Sequence, residues 1–322
     1  MASMNVDWRP TANVAALRAR AALHRLIRDF FAQRSVLEVE TPLLSSAANS
    51  DPNIASLEAR FADGTSRWLR TSPEFAMKRL LAAGVGDCYE LGRVVRAGET
   101  GRQHNHEFTM LEWYRVGWDH HRLMDEVTEL VQRALASVRK RAIVRQTSYR
   151  QLYLDYLGID PLVADEDALR SPLVVYGIDP HGLTRDDWLD LLMTHLIQPT
   201  LETNRLLLVY DYPASQCALA RVRPEDPPVA ERFELYLGPL ELANGYHELT
   251  DAGEQRGRFL RERGTRAARG QHCPPHDERL LGALAEGMPA CAGVALGVDR
   301  LLMAMLGTSD IADVIAFPSP IA

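Results

Sequence analysis

Between Arg96 and Arg115 the chain reads RAGETGRQHNHEFTMLEWYR, and no other segment restricts its fold so tightly. Phe108, Met110, Glu112 and Tyr114 alternate along the second half, so they share one face of a strand. Residues 88–96 form the preceding strand, and a polar loop with Gly98, Gly101, Arg102 and His104 joins the two. A carboxylate and a phenol among apolar neighbours need polar partners. Either they satisfy each other inside the protein, or they line a pocket for a polar or cationic ligand.

The rest of the chain extends this antiparallel theme. Leu23, Leu26, Ile27, Phe30 and Phe31 fall at helical spacing after an arm over residues 1–12. A β-prone stretch runs from Val36 to Thr41 and is stopped by Pro42. Ser72-Pro73-Glu74 is a helix start, after a strand at 67–71 and before the run Phe75 to Leu81. A helix is expected over 121–137, then a mostly helical insertion over about 146–200, broken by Pro161, Pro172 and Pro180. A strand at 206–212 and a hairpin over about 231–250, turning at Gly238-Pro239, follow a proline-rich loop at 221–228. Helices near 253–269 and 277–286, a strand at 291–298 and a helix from 299 close the chain. Sequential strands joined by short turns predict an α+β fold, an antiparallel sheet flanked by helices.

Glu234, Glu241 and Glu248 recur every seven residues. With Gly238-Pro239 as the hairpin turn, Tyr236 lies opposite Glu241 and Glu234 sits diagonally on the same face. Two such carboxylates share a divalent cation, or they belong to a solvated acidic face. Glu248 has the opposite parity, and a bulge at Asn244-Gly245 would bring it round. Gly293 through Met303, GVALGVDRLLM, makes a buried strand from Val294, Leu296 and Val298, with Asp299 as N-cap of the next helix and Arg300 in its first turn. That is an ordinary strand-to-helix junction, or one whose arginine holds a phosphate.

Taken in order, these segments resemble class II aminoacyl-tRNA synthetases of the lysyl subgroup. The early helix with Glu40-Thr41-Pro42 is similar to motif 1, Arg96–Arg115 to motif 2 and Gly293–Arg300 to motif 3, while TSPE at 71–74 and RFELYLGPLELANGYHEL at 232–249 match the subgroup's amino-acid and metal segments. HEFTMLEWYR, YPASQ, ELANGYHELTD and GVALGVDR resemble more closely the related ligases that attach β-lysine to elongation factor P. Those ligases lack the tRNA enzyme's anticodon-binding barrel. Motif 1 begins here within the first twenty residues, so one catalytic domain is expected over 13–322 with no anticodon-binding domain.

The resemblance implies roles. Arg96 would clamp the ATP α-phosphate and the amino-acid carboxylate, and Arg300 would stack on adenine and reach the γ-phosphate. Ala97, Gly98, Asn105, Leu242 and Gly297 would shape the adenosine site. Glu234 and Glu241 would hold Mg²⁺. Tyr114 and Glu248 would receive the side-chain ammonium, and Ser72, Pro73 and Glu74 the other amino group. Three positions depart from the family pattern. Gly98 stands where motif 2 has glutamate, which is displaced to Glu99. His106 replaces a proline. Ala295 replaces the tRNA enzyme's glycine, which either turns the pocket away from α-lysine or changes only packing.

The implied activity is activation of (R)-β-lysine by ATP and transfer to a lysine of elongation factor P, by a cytoplasmic homodimer. A compact lysyl-tRNA synthetase and a non-catalytic regulatory paralogue are the competing readings. Net charge -7 over 322 residues, with a pI of about 5.8, argues against a broad nucleic-acid face and so against stable tRNA binding. No apolar run approaches the ~20 residues of a membrane span. Cys88, Cys217, Cys273 and Cys291 form no CxxC pair and read as isolated thiols. His247 and the pair His120-His121 read as structural or surface positions; His104, inside the ATP loop, is the exception.

Overall fold

The computed structural model describes residues 8–322. Helix α1 (Val14–Ala32) is started by Asn13, whose side chain accepts from the Ala16 amide. Short strands β1 (Leu37–Glu38), β2 (Leu44–Ser45), β3 (Glu58–Arg60) and β4 (Ser66–Leu69) follow. Helix α2 (Glu74–Ala82) precedes the paired strands β5 (Cys88–Val95) and β6 (Glu107–Val116), and α3 (His120–Ser137) comes next. Strand β7 (Ile143–Ser148) leads into α4 (Tyr149–Leu157), α5 (Glu166–Arg170) and α6 (Arg185–Leu192). Then come β8 (Arg205–Pro213), β9 (Val222–Arg223), the hairpin β10 (Val229–Leu237) and β11 (Leu240–His247), α7 (Ala252–Ala268), α8 (Glu278–Gly287), β12 (Cys291–Gly297) and α9 (Val298–Leu306).

The main sheet runs β1-β5-β6-β12-β11-β10-β8-β7, with β9 beside β10. It is antiparallel through its centre; parallel pairing occurs at the two ends, β1 with β5 and β7 with β8. The alternation in β6 sorts the two faces. Leu111 and Trp113 join Val294 and Leu296 against α1 and α3, through Phe30, Phe31, Val127 and Val131. The other face is roofed at its two ends. At one end the insertion brings Tyr149, Tyr153, Trp188 and Leu189 onto Leu207, Val209 and Tyr236. At the other, Met77 and Leu81 of α2 pack with Phe259, Leu280 and Leu281 of α7 and α8. The middle of that face stays open as a cleft.

Several expectations shift. The insertion was expected to be helical from 146, but β7 occupies those residues, and the helix starts at Tyr149 behind its Ser148 cap. Asp299 is not the N-cap of α9. Gly297 stands there without a side-chain cap, and Asp299 lies in the first turn, accepting from the Thr109 amide at 2.6 Å and from Arg20. The arm over 1–12 falls mostly outside the described residues. Within them, the Thr11 amide donates to the Ala316 carbonyl and Ala12 is buried, so the chain is anchored from there. Among the described residues no helix is long and apolar enough to cross a membrane.

Candidate active site

The hairpin β10–β11 builds the floor of the cleft. Its turn at Gly238-Pro239 puts Tyr236 opposite Glu241, as the spacing requires. The bulge lies at Leu242, not at Asn244-Gly245: Leu235 pairs with Ala243 while Tyr236 pairs with Glu241, leaving Leu242 unmatched. Gly245 serves a different need. It pairs regularly with Phe233, and a Cβ there would come within 2.5 Å of the Phe233 ring. The extra residue at Leu242 reverses the parity of β11 beyond it, so Glu241, Asn244, Tyr246 and Glu248 all reach the cleft.

The cleft has a volume of about 320 Å³. It gathers Ser72, Glu74, Arg96, Asn105, Tyr114, Glu241, Leu242, Glu248, Gly297 and Arg300, which the sequence scatters over more than two hundred residues. Pro73, Ala97, Gly98 and Glu234 do not line it. Pro73 is the N-cap of α2, the Ala97 amide donates to the Ala55 carbonyl at 2.8 Å, and Gly98 turns the loop at φ +83°. Glu234 shares the face of its cross-strand partner Asn244 but is engaged beside the cleft by Arg232, Tyr236 and Asn244.

At one end the cleft is cationic. Arg96 lies 5.3 Å from the Phe108 ring centroid, donates through Nε to the Thr71 carbonyl and reaches the displaced acid, Glu99 Oε1, at 3.3 Å. The His106 position is fixed by the Arg96 amide, which donates to its carbonyl at 2.9 Å. Arg300 Nη1 donates to the Glu241 carbonyl at 3.0 Å, and Nη2 meets His104 Nε2 at 2.6 Å. Burial, and then the Arg300 charge, lower the His104 pKa, so this ring is a neutral acceptor that orients the guanidinium. Glu241 retains carboxylate oxygens open to the cleft, with Arg300 Nη1 3.7 Å away. Burial and the neighbouring Glu234 raise its pKa. A hard cation suits such a pair, because it supplies the missing positive charge and takes oxygen donors. Glu241 is the better-placed donor, since Glu234 already spends its oxygens on three partners.

The other end is acidic and deeply buried. Glu112 accepts from the Ser72 and Tyr114 hydroxyls, each at 2.7 Å. Burial, then the charge of Glu74, push its carboxyl up to about 8. Burial likewise raises Glu248 to about 7, even though Lys78 pulls it down. Lys78 Nζ stands 2.6 Å from both Glu74 and Glu248. Burial works against its charge, but those two carboxylates outweigh it and hold its pKa above the ordinary range. Two carboxyls thus share one ammonium with Glu112 nearby and held only by hydroxyls, and at neutral pH the excess charge is relieved by a retained proton. Gly293 makes room beneath: a Cβ there would lie 2.5 Å from Glu248 Oε1 and press on the Tyr114 ring.

Lys78 and the partner role of Glu112 were missed in the sequence. A signal existed for the first. The chain holds two lysines, Lys78 and Lys140, among 36 basic residues, and Lys78 falls on the apolar side of α2 beside Met77 and Leu81. A compact ammonium with three rotatable donors suits a position between two acids where a planar guanidinium would not fit.

Residues 2–320 match the family described as tRNA synthetases class II (D, K and N). The chain is 46% identical over 328 residues to the elongation factor P--(R)-beta-lysine ligase of Vibrio vulnificus (strain YJ016), covering 99% of this chain and 100% of that protein. It is 46% identical over 325 residues to the ligase of the same name from Vibrio cholerae serotype O1 (strain ATCC 39315 / El Tor Inaba N16961), covering 98% of this chain and 99% of that one. With identity of this extent across a whole synthetase fold, the chain belongs to the class II tRNA synthetase family (D, K and N) and, within it, to the elongation factor P--(R)-beta-lysine ligases.

Proposed function

We propose that this protein activates (R)-β-lysine with ATP and transfers it to the ε-amine of a lysine on elongation factor P. The observation that carries the reading is one cleft with a cationic end, Arg96 and Arg300, and an acidic end, Glu74, Glu112 and Glu248. A diamino acid has the complementary polarity: ammonium groups for the acids and a carboxylate for the arginines.

In the first step the carboxylate oxygen of the amino acid attacks the α-phosphorus of ATP and pyrophosphate leaves. No enzyme nucleophile is needed; the rate comes from positioning and from offsetting charge. Arg96 bridges the α-phosphate and the attacking carboxylate. Arg300, held in orientation by His104 and the Glu241 carbonyl, covers adenine and meets the γ-phosphate. Asn105, Leu242 and Gly297 shape the adenosine pocket, and Ala97 and Gly98, outside the lining, turn the loop that carries Glu99 and His104 to it. Glu241, with Glu234 beside it on the same face, would hold Mg²⁺, which when bound neutralises charge on the phosphates and on the departing pyrophosphate. Glu248 and Tyr114 take the side-chain ammonium, and the Ser72-Pro73-Glu74 segment takes the second amino group. In the next step the ε-amine of the acceptor attacks the acyl carbon, AMP leaves, and the amine's proton passes to solvent. A substrate lacking an ammonium would leave buried carboxylates unpaired, which gives the pocket its selectivity.

We also infer a homodimer formed through the segment around Glu40-Thr41-Pro42. The deciding experiment incubates the protein with ATP, Mg²⁺, (R)-β-lysine and elongation factor P and weighs the factor intact. A gain of one lysyl residue, stronger with the β- than the α-isomer, supports the reading. Lysine appearing on tRNA instead would replace it with a compact synthetase. Absence of both transfers and of pyrophosphate exchange would point to a regulatory paralogue.

A further inference from the structure

Outside the cleft lining, five residues converge: His120 and His121 at the start of α3, Asp211 of β8, Glu231 of β10 and His247 of β11. Within the set His120, His121 and Asp211, one donor atom from each lies within 4.8 Å of the other two, and the same holds for His120, Glu231 and His247. His120 belongs to both sets. It is 2% exposed, and neither ring nitrogen makes a hydrogen bond. Its Nε2 lies 3.3 Å from Asp211 Oδ1, but off a hydrogen-bonding direction. A buried imidazole left without partners is costly, and native interiors rarely tolerate one without a reason.

The backbone around Asp211 is also unusual. Asp211 has φ +57°, and the β8–β10 register slips there, pairing Ala230 with Tyr212 but Phe233 with Tyr210. Asp211 therefore faces two residues of β10 in a left-handed conformation, the kind of outlier that re-aims a side chain. Its carboxylate is steadied from the other side by Arg223, at 2.7 Å to Oδ2 with a longer 3.4 Å contact to Oδ1. The His121 ring lies beside that of His120, with centroids 4.1 Å apart.

We propose that His120, His121 and Asp211 bind a divalent transition-metal ion of the zinc class, which pins the first turn of α3 to β8. Two imidazoles and one carboxylate are the donors such ions prefer, and a solvent molecule would complete four-coordination at the exposed His121 edge. Metal–donor bonds of about 2.0–2.2 Å place tetrahedral ligands roughly 3.3–3.5 Å apart. The 3.3 Å separation of His120 and Asp211 already matches that edge. The His247–Glu231 pair, at 2.6 Å, satisfies itself and stays out of the coordination set. Arg223 holds Asp211 in place much as a hydrogen-bonded partner orients a metal-bound carboxylate.

The test uses the full chain, stripped with chelator and titrated with Zn²⁺ alone. Calorimetry reads affinity, a melting curve reads stability, and Co²⁺ substitution reads coordination by its visible absorption. One Zn²⁺ per chain should bind, raise Tm and give the intense bands of a tetrahedral site with Co²⁺. His121→Ala changes an exposed side chain and should leave the fold intact. It should weaken binding at least tenfold and abolish the Tm response, as should Asp211→Asn. His247→Ala should bind as tightly as the parent protein, and so should Glu241→Gln, which separates this site from the cleft. The assignment is overturned if the parent binds no Zn²⁺, if His121→Ala and Asp211→Asn bind it undiminished, or if His247→Ala alone loses it. Failure of aminoacylation would not touch these readouts.

Discussion

At the scale of single residues, the acidic end of the cleft sets how the protein responds to pH. Glu112 titrates at about 8 and Glu248 at about 7, both above the ordinary carboxyl value of 4.5. Each binds its proton more tightly folded than unfolded. Their contribution to stability is therefore complete below the unfolded value and is lost as pH rises through 7 and 8. Substrate binding has the opposite sign, because an ammonium needs the ionised carboxylates. KM for the amino acid in pyrophosphate exchange should fall as pH rises from 6 to 8, roughly tenfold per unit for each proton displaced, while KM for ATP stays flat. Glu112→Gln should flatten the first profile; a parent enzyme already flat would refute the shared proton. Lys78→Met tests the same network from the cationic side. It strands Glu74 and Glu248 and should cost about 3–5 kcal/mol in urea unfolding. Ala295, on the cleft floor between Asn244 and Glu112, tests isomer choice. Ala295→Gly should raise the α- to β-lysine ratio of kcat/KM by about 10-fold or more, the worth of one methyl group in a pocket wall; no change would leave it a packing residue.

At the scale of elements, β12 works by what it lacks. Its glycine opposite Tyr114 lets Tyr114 and Glu248 meet over the strand. Gly293→Ala should lower kcat/KM for the amino acid more than 100-fold and cost about 1–3 kcal/mol, since neither neighbour can withdraw from a packed floor. Gly282→Ala is the control. That glycine is exposed in α8 with nothing near its Cβ direction, so the change should stabilise by about 0.5–1 kcal/mol and leave kinetics alone. The contrast also marks what the sequence made legible. Alternation in β6 told which of its residues share a face, and the hairpin turn told that Tyr236 faces Glu241, because both follow from a period of two. The position of the bulge did not follow. Asn244-Gly245 carries the composition of a bulge, yet the phenyl ring of Phe233 claims Gly245, and the extra residue is a leucine with no local mark. Periodicity put Lys78 on the apolar side of α2 and four residues from Glu74, but it could not announce Glu248, a residue 170 positions further on. Local spacing reports faces; it does not report which distant face comes to meet them.

At the scale of the molecule, the surface outside the cleft bears on assembly. Leu37, Leu43, Leu44, Leu57 and Phe61 are all exposed, Leu37 by 54% and Phe61 by 47%. Four of them lie in or beside the small sheet β2-β4-β3, with the Arg70 amide donating to the Leu43 carbonyl and the Leu69 amide to the Leu57 carbonyl, while Leu37 belongs to β1 at the edge of the main sheet. A single exposed leucine needs no explanation, but a group flanking one three-stranded sheet is an interface in search of a partner. Leu43 and Leu44 directly follow Glu40-Thr41-Pro42, the segment that the resemblance to motif 1 assigns to subunit contact, and a two-fold axis would lay the patch on its own copy. Sedimentation should therefore give a mass twice the 36.0 kDa of the chain at micromolar concentration. Leu44→Glu should move the protein toward monomer, because two like charges would meet across the axis in a patch emptied of water. That variant leaves the cleft untouched, so its kinetics separate assembly from chemistry: a loss of exchange activity that recovers at high protein concentration means that the dimer stabilises the site. A parent protein that sediments at 36.0 kDa with full activity would remove the dimer from the account and leave the patch to another partner.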